Sequence, residues 1–233
     1  MQYMAKIINT TFDHHVHIGQ WKEEYFSAEQ VFLHLQQKEK TGCIFMSTTS
    51  CAPLHFDNKK EIYNLYEKVR DEIILAANTA HEINFIARPY YWVVPLFHIS
   101  GISLEKVFNE FPKYCGLKIH PLSHNWNPEE KERAELLTTV FEFAQTRSLP
   151  IILHTGISQK DSPCVYEKWF KTFPSVKVTL AHSRNLSEVK YLFDNYPQLN
   201  GDTAFIPQEN LDYFISNGYG HRLVYGSDFP IGR

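Results

Sequence analysis

Short runs of apolar or β-branched residues alternate with longer amphipathic stretches along the whole chain, the pattern of strand–helix units that build a parallel sheet. Candidate strands end near His17, Ser50, Pro95, Pro121, Gly156, Ser183, Ile206 and Pro230, and each gap is long enough for a crossover helix. Eight such units predict a closed (β/α)8 barrel of the TIM type. Helix starts carry their own signals. Ser27-Ala28-Glu29-Gln30 reads as a capping box opening a helix through Leu35. Asn127-Pro128-Glu129-Glu130 reads as a cap, a proline suited to the first helical position and two glutamates suited to the positive end of the helix dipole. Leu136, Leu137, Val140, Phe141, Phe143 and Ala144 then supply its apolar stripe.

The sequence runs to Arg233, directly after the eighth strand, so the barrel is expected to lack its last helix. Residues 1 to 8 or a second subunit are then expected to cover the apolar flank of strands one and eight, and self-association is one expected outcome.

Length and composition narrow the class. A chain of 233 residues buries one sizeable core, so residues 1–233 are expected to form a single domain. Apolar residues at 43% and charged residues at 21% are ordinary for a globular protein. The net charge of −3, without a long Lys/Arg run, lacks the electrostatic footprint of a nucleic-acid or anionic-membrane binder and points to a small-molecule partner. No apolar run approaches the ~18 residues of a membrane span and the N-terminus carries no leader pattern, so the expected location is the cytoplasm. Cys43, Cys51, Cys115 and Cys164 are scattered without a Cys-x-x-Cys pair and read as reduced residues.

Catalytic groups of such barrels sit at the C-terminal ends of strands, so polar residues that close apolar runs are the informative ones. His15 and His17 flank Val16 at the end of the first strand, which puts both imidazoles on one face. His154 closes the fifth strand, His182 the sixth and Asp228 the eighth. Neutral imidazoles with one carboxylate suit zinc or another borderline divalent ion, and an open coordination position marks a catalytic site. On the fourth strand Lys118 and His120 share parity, with His120 nearer the strand end and placed for substrate. Arg88 leads into the third strand, where it either clamps a substrate carboxylate at the barrel mouth or lies on the surface. Trp21, Trp92 and Trp126 read as packing or rim residues. His14, His34, His55, His81, His98, His124 and His221 read as surface or structural ones.

At these positions the sequence resembles the amidohydrolase superfamily, in particular the amidohydrolase-related branch that contains aminocarboxymuconate semialdehyde decarboxylase and its relatives. The resemblance runs through nearly the whole chain. It is carried by Asp13-His14-His15-Val16-His17, Lys118-Ile119-His120-Pro121, Leu153-His154-Thr155-Gly156, Ala181-His182-Ser183 and Gly226-Ser227-Asp228-Phe229-Pro230. It implies that His15, His17, His154 and Asp228 hold one divalent ion, zinc being the first choice, with His182 beside the water that the ion activates. Asp228 doubles as the group that takes the water's proton. It leaves two readings of Lys118: a carbamylated bridge between two ions, or an ordinary ammonium paired with Asp13, Asp202 or an anionic substrate. The second suits a one-metal branch. The implied activity is metal-dependent hydrolysis of a small amide, lactone or ester. The alternatives are a non-oxidative decarboxylase or hydratase using the same site, and a catalytically silent barrel that binds a ligand.

Overall fold

In a computed structural model, described for residues 8–52 and 58–232, the strand–helix alternation becomes a ring of parallel strands wrapped by helices. The strands are β1 (Phe12–Trp21), β2 (Glu24–Phe26), β3 (Gly42–Ser47), β4 (Ile86–Pro89), β5 (Tyr91–Trp92), β6 (Leu117–Ile119), β7 (Ile151–His154), β8 (Val178–Ala181), β9 (Leu199–Asp202) and β10 (Leu223–Val224). The helices are α1 (Ala28–Gln37), α2 (Lys59–Glu82), α3 (Pro95–Ile99), α4 (Leu104–Glu110), α5 (Lys131–Arg147), α6 (Glu167–Thr172), α7 (Leu186–Asn195) and α8 (Gln208–Ser216).

Two sheets, β2-β1-β3-β4 and β10-β9-β8-β7-β6-β5, join at both edges. β4 and β5 are halves of one strand interrupted at Tyr90: the first half pairs with β3, the second with β6, and the Tyr90 amide donates to Phe45 O at 2.9 Å. At the other edge the residues after β10 run parallel to β1, bridging Val16 to Phe229. There the amides of His14, His17 and Asp228 donate to Tyr225 O, Phe229 O and His15 O, each at 2.8 Å. With β4 and β5 taken as one and the β2 hairpin arm set aside, the ring has the eight strands expected from the sequence. Its interior and the layer under the helices hold one continuous apolar core, including Val16, Phe32, Phe45, Leu117, Leu153, Leu180 and Phe214.

Local chemistry explains the elements. Ser27 and Gln30 form the reciprocal capping box, each side chain accepting from the other's backbone amide at 3.2 Å. Asn127 departs from expectation. Its carboxamide accepts from the Glu129 amide at 3.1 Å and closes a tight turn, so α5 starts one turn later, at Lys131. The apolar stripe of α5 then buries Leu137, Val140, Phe141 and Ala144. At the junction of β1 and β10, His34 stacks on Phe229 with ring centres 4.3 Å apart, and the Lys40 ammonium lies 3.9 Å from the Tyr225 ring centre. Ile8 is buried in the core. Residues 1–7 and His55 lie outside the described part. No helix among the described residues is long and apolar enough to cross a membrane.

Candidate metal centre

The strand ends gather His15, His17, Trp92, Lys118, His120, His154, His182, Arg184 and Asp228 around a cavity of about 260 Å³. β1 reaches it through a bulge: the register passes from Asp13↔Cys43 to Val16↔Phe45, three steps against two. The extra residue falls in the His-x-His motif and re-aims its side chains. Gly226 passes under that motif, since a Cβ there would stand 2.9 Å from His15 Cβ. His182, Ser183 and Asp228 hold left-handed backbones, with φ of 75°, 43° and 58°. Such conformations are costly for non-glycine residues and cluster at functional sites.

Three ligand-type atoms converge. His17 Nε2 lies 2.8 Å and His15 Nε2 3.3 Å from Asp228 Oδ1, and one donor atom from each residue lies within 4.8 Å of the others. His15 Nδ1 donates to Asp202 Oδ2 at 2.7 Å, which fixes the tautomer and leaves Nε2 as the lone pair aimed at the centre. His17 is pushed down to about 4 by burial against the opposing pull of Asp228, so its ring is neutral near pH 7. Burial works to raise the Asp228 carboxyl, but the His15 and His17 rings beside it win and hold it well below the ordinary carboxylate range. Two neutral imidazole nitrogens and a carboxylate, all buried, fit a borderline divalent ion. The resident cation at this point is Lys118, whose Nζ donates to His15 Nε2 at 3.1 Å. A metal there takes that lone pair from the ammonium.

The other predicted residues fall into place unevenly. His182 Nδ1 donates to Ala204 O at 3.1 Å, so its Nε2 accepts, and the partner donating to it is His154 Nδ1 at 3.1 Å. His154 Nε2 is left facing the buried Asp161 carboxylate at 3.6 Å, and His154 does not join the three converging ligands. Burial pushes His182 down to about 4, with Asp202 opposing. His120 stacks between Trp92 and His154, at centre distances of 5.4 and 3.8 Å. Its Nδ1 accepts from the Ser123 amide at 3.2 Å, which makes Nε2–H a donor. Lys118 does not pair with Asp13 or Asp202 as the sequence suggested. Asp13 Oδ1 accepts instead from the His15 and Ser227 amides, and Asp202 is taken by His15. Burial lowers Lys118 to about 8, opposed by Asp228 and Asp202.

Arg88 is outside this group. It is exposed, packs over Phe12 at the start of β1 with 5.3 Å to the ring centre, and borders a separate cleft of about 510 Å³ beside Pro150, ahead of β7. That is the barrel end opposite the histidines, so of its two readings the surface one describes its position.

From the sequence Asp202 is read only as a partner for Lys118, and Arg184 is not singled out. Asp202 closes β9 and accepts from His15 Nδ1, from the His182 amide at 2.8 Å and from the Ala204 amide at 3.1 Å. Burial works to raise its pKa, but the His15 ring and these bonds keep it below the ordinary carboxylate value. Its signal was a polar residue at a strand end, hidden because the strand was drawn out to Ile206. Arg184, two residues beyond His182, brings a guanidinium to the cavity rim.

No family model and no curated protein matches the chain. Solved structures do. An amidohydrolase II shares 14% identity over 95% of this chain and 87% of its own, with a TM-score of 0.64. A 2,6-dihydroxybenzoate decarboxylase complexed with 2,6-dihydroxybenzoate shares 10% over 96% and 88%, with a TM-score of 0.61. A dihydroxybenzoic acid decarboxylase from Polaromonas sp. JS666, with bound manganese and the inhibitor 2-nitroresorcinol, shares 13% over 97% and 88%, with a TM-score of 0.63. The fold is therefore the TIM barrel that these solved structures share, an amidohydrolase II and two decarboxylases among them.

Proposed function

We propose that this barrel is a metal-dependent hydrolase of a small amide, lactone or ester, with one divalent ion, zinc for preference, held by His15, His17 and Asp228. The observation that carries this reading is the meeting of His15 Nε2, His17 Nε2 and Asp228 Oδ1 at one buried point, with His15 locked in the ligand tautomer by Asp202. A zinc ion bound there polarises a carbonyl and lowers the pKa of a water from 15.7 to roughly 7. The chain's own groups do the rest. Asp228 accepts a proton at its carboxylate as water attacks. His182, oriented through Ala204 O, offers Nε2 to carry a proton across to the leaving group. Lys118 Nζ and His120 Nε2 donate to substrate oxygens, and the Trp92–His120–His154 stack walls off solvent on one side.

A lyase reading has specific support of its own. Lys118 places an ammonium in the cavity, as a departing or retained carboxylate requires, and decarboxylases share the fold. Elemental analysis of the purified protein, followed by turnover against amide, lactone and aromatic-acid panels, tests both. About one divalent ion per chain is expected, lost on His17→Ala. Two tightly held ions with a carbamate mass on Lys118, or a folded protein that takes up none from zinc or manganese, would overturn the single-metal reading. Turnover of the acid panel alone selects the lyase.

A further inference from the structure

Arg184 is placed with more care than a rim residue needs. The two residues before it, His182 and Ser183, both adopt left-handed backbones and turn the chain sharply back over the cavity. Asn210, buried on α8, then clamps the turn, donating from Nδ2 to Arg184 O at 2.7 Å and reaching Ser183 O at 3.5 Å. The guanidinium rests over the Phe205 ring, 5.3 Å from its centre. Phe205 is itself held at a left-handed φ of 52°. Backbone, clamp and aromatic platform together fix where this charge stands.

Among the described residues no carboxylate lies within 4.0 Å of Arg184. Arg70 is committed to Asp71 and Glu110, and Arg222 to the carbonyls of Phe193, Tyr196 and Leu199, whereas Arg88 and Arg147, which like Arg184 lie over aromatic rings without a carboxylate, do not border this cavity. Arg184 instead borders the same cavity as Lys118, His120, His154 and Asp228. A planar guanidinium matches a carboxylate through two parallel N–H donors, and a cavity of about 260 Å³ admits only a small molecule.

We propose that Arg184 is the specificity-determining residue of this cavity and that it selects substrates bearing a carboxylate. The inference deepens the proposed metal-dependent reading by naming the substrate class, but recognition of the acid is a property of the chain that is measurable without the ion. Calorimetric titrations at low ionic strength with acetate, benzoate and 2-hydroxybenzoate, each beside its neutral amide and beside inorganic phosphate, test it on the protein as purified and after chelation. At least one acid is expected to bind about tenfold or more tightly than its amide, both with and without metal. Arg184→Gln should bring that ratio to within about twofold while leaving metal content and Tm unchanged. Arg184→Lys should retain part of the preference, and Arg88→Gln, at the far end of the barrel, all of it. If Arg184→Gln fails to fold, the Lys variant alone must show the reduced ratio. No acid preferred over its amide, a preference that survives Arg184→Gln, or phosphate preferred over every acid would overturn the proposal. A wild-type protein that takes up no ion yet keeps an Arg184-dependent preference would sink the metal-dependent reading and leave this one standing.

Discussion

The two halves of the cavity are held in different ways. On the β1, β9 and β10 side, His15, His17, Asp202 and Asp228 meet at 2.7 to 3.3 Å, with His15 Nδ1 donating to Asp202 and His17 Nε2 to Asp228. On the β5, β6 and β7 side, Trp92, His120 and His154 are held face to face by ring stacking, with single hydrogen bonds, the Ser123 amide donating to His120 and His154 to His182. Stacking fixes the plane of a ring and leaves its slide soft, whereas a carboxylate fixes which nitrogen points where. The first half suits an ion that needs donors at set positions, the second a substrate that varies in shape.

The contrast is broken most severely at Asp202. Asp202→Ala removes the acceptor of His15 Nδ1 and of two backbone amides in a buried place. Metal affinity is expected to fall ~10–100-fold and the fold to lose about 2 kcal/mol or more, read by metal titration and by denaturation. Unchanged metal affinity would show that the hydrogen-bonded half is not what holds the ion. Asp228→Asn keeps the shape and removes the charge. Turnover should drop ~10²-fold or more, with the fold and much of the metal retained through the histidines. An active, metal-replete Asn variant would show Asp228 to be a mere rim contact.

A smaller effect belongs to the stacked half. His120→Ala should leave metal content within about twofold of the wild type and act on KM more than on metal affinity, so kinetics and elemental analysis on the same sample separate the halves. Smallest is a pH effect at His124, whose ring lies edge-on to Trp92 at 6.2 Å. Burial, aided by Arg133, pushes His124 down to about 4. The ring therefore stays neutral in the fold while an unfolded histidine takes up a proton below ~6.5. The sign follows: the unfolded chain binds more protons between pH 6.5 and 4, so stability is full above that window and falls as pH drops through it. His124→Phe should flatten this acid limb in a tryptophan-fluorescence melt, and an identical limb in the variant would place the titration elsewhere.

Most of this architecture was legible in the sequence because a barrel strand announces itself twice, by an apolar run and by the polar residue that ends it. His15, His17, His154, His182 and Asp228 were found that way, and all five border the cavity. Asp202 entered only as a partner for Lys118, and its place under His15 was missed, because β9 reads Leu-Asn-Gly-Asp and the more apolar Ala204-Phe205-Ile206 beyond it drew the expected strand end four residues too far. Arg88 stayed open between two readings for a related reason. It sits early in a strand interrupted at Tyr90, and pattern alone does not tell which end of a short strand faces the mouth. Arg184 owes its position to two left-handed residues and a clamp from α8, none of which leaves a mark in hydrophobic periodicity. The pairing of Lys118 with His15 depends on a bulge that shifts a whole strand by one residue, a register effect invisible before the strands are aligned.

The contact between His17 and Asp228 joins residues 211 positions apart. During synthesis His17 emerges 211 residues before Asp228 in the segment after β10, and the His-x-His motif waits, its donors unpaired, until that segment docks beside β1. Closing so long a loop carries an entropic cost that grows only slowly with length, and the contact forms together with the backbone bonds that seat the segment after β10 against β1. An ion present at 100 times its Kd would favour the closed ring by about 2.7 kcal/mol, so metal supply during growth would govern the yield of folded protein as well as its activity. Expression in chelator-treated medium, followed by late addition of zinc, would separate those two effects.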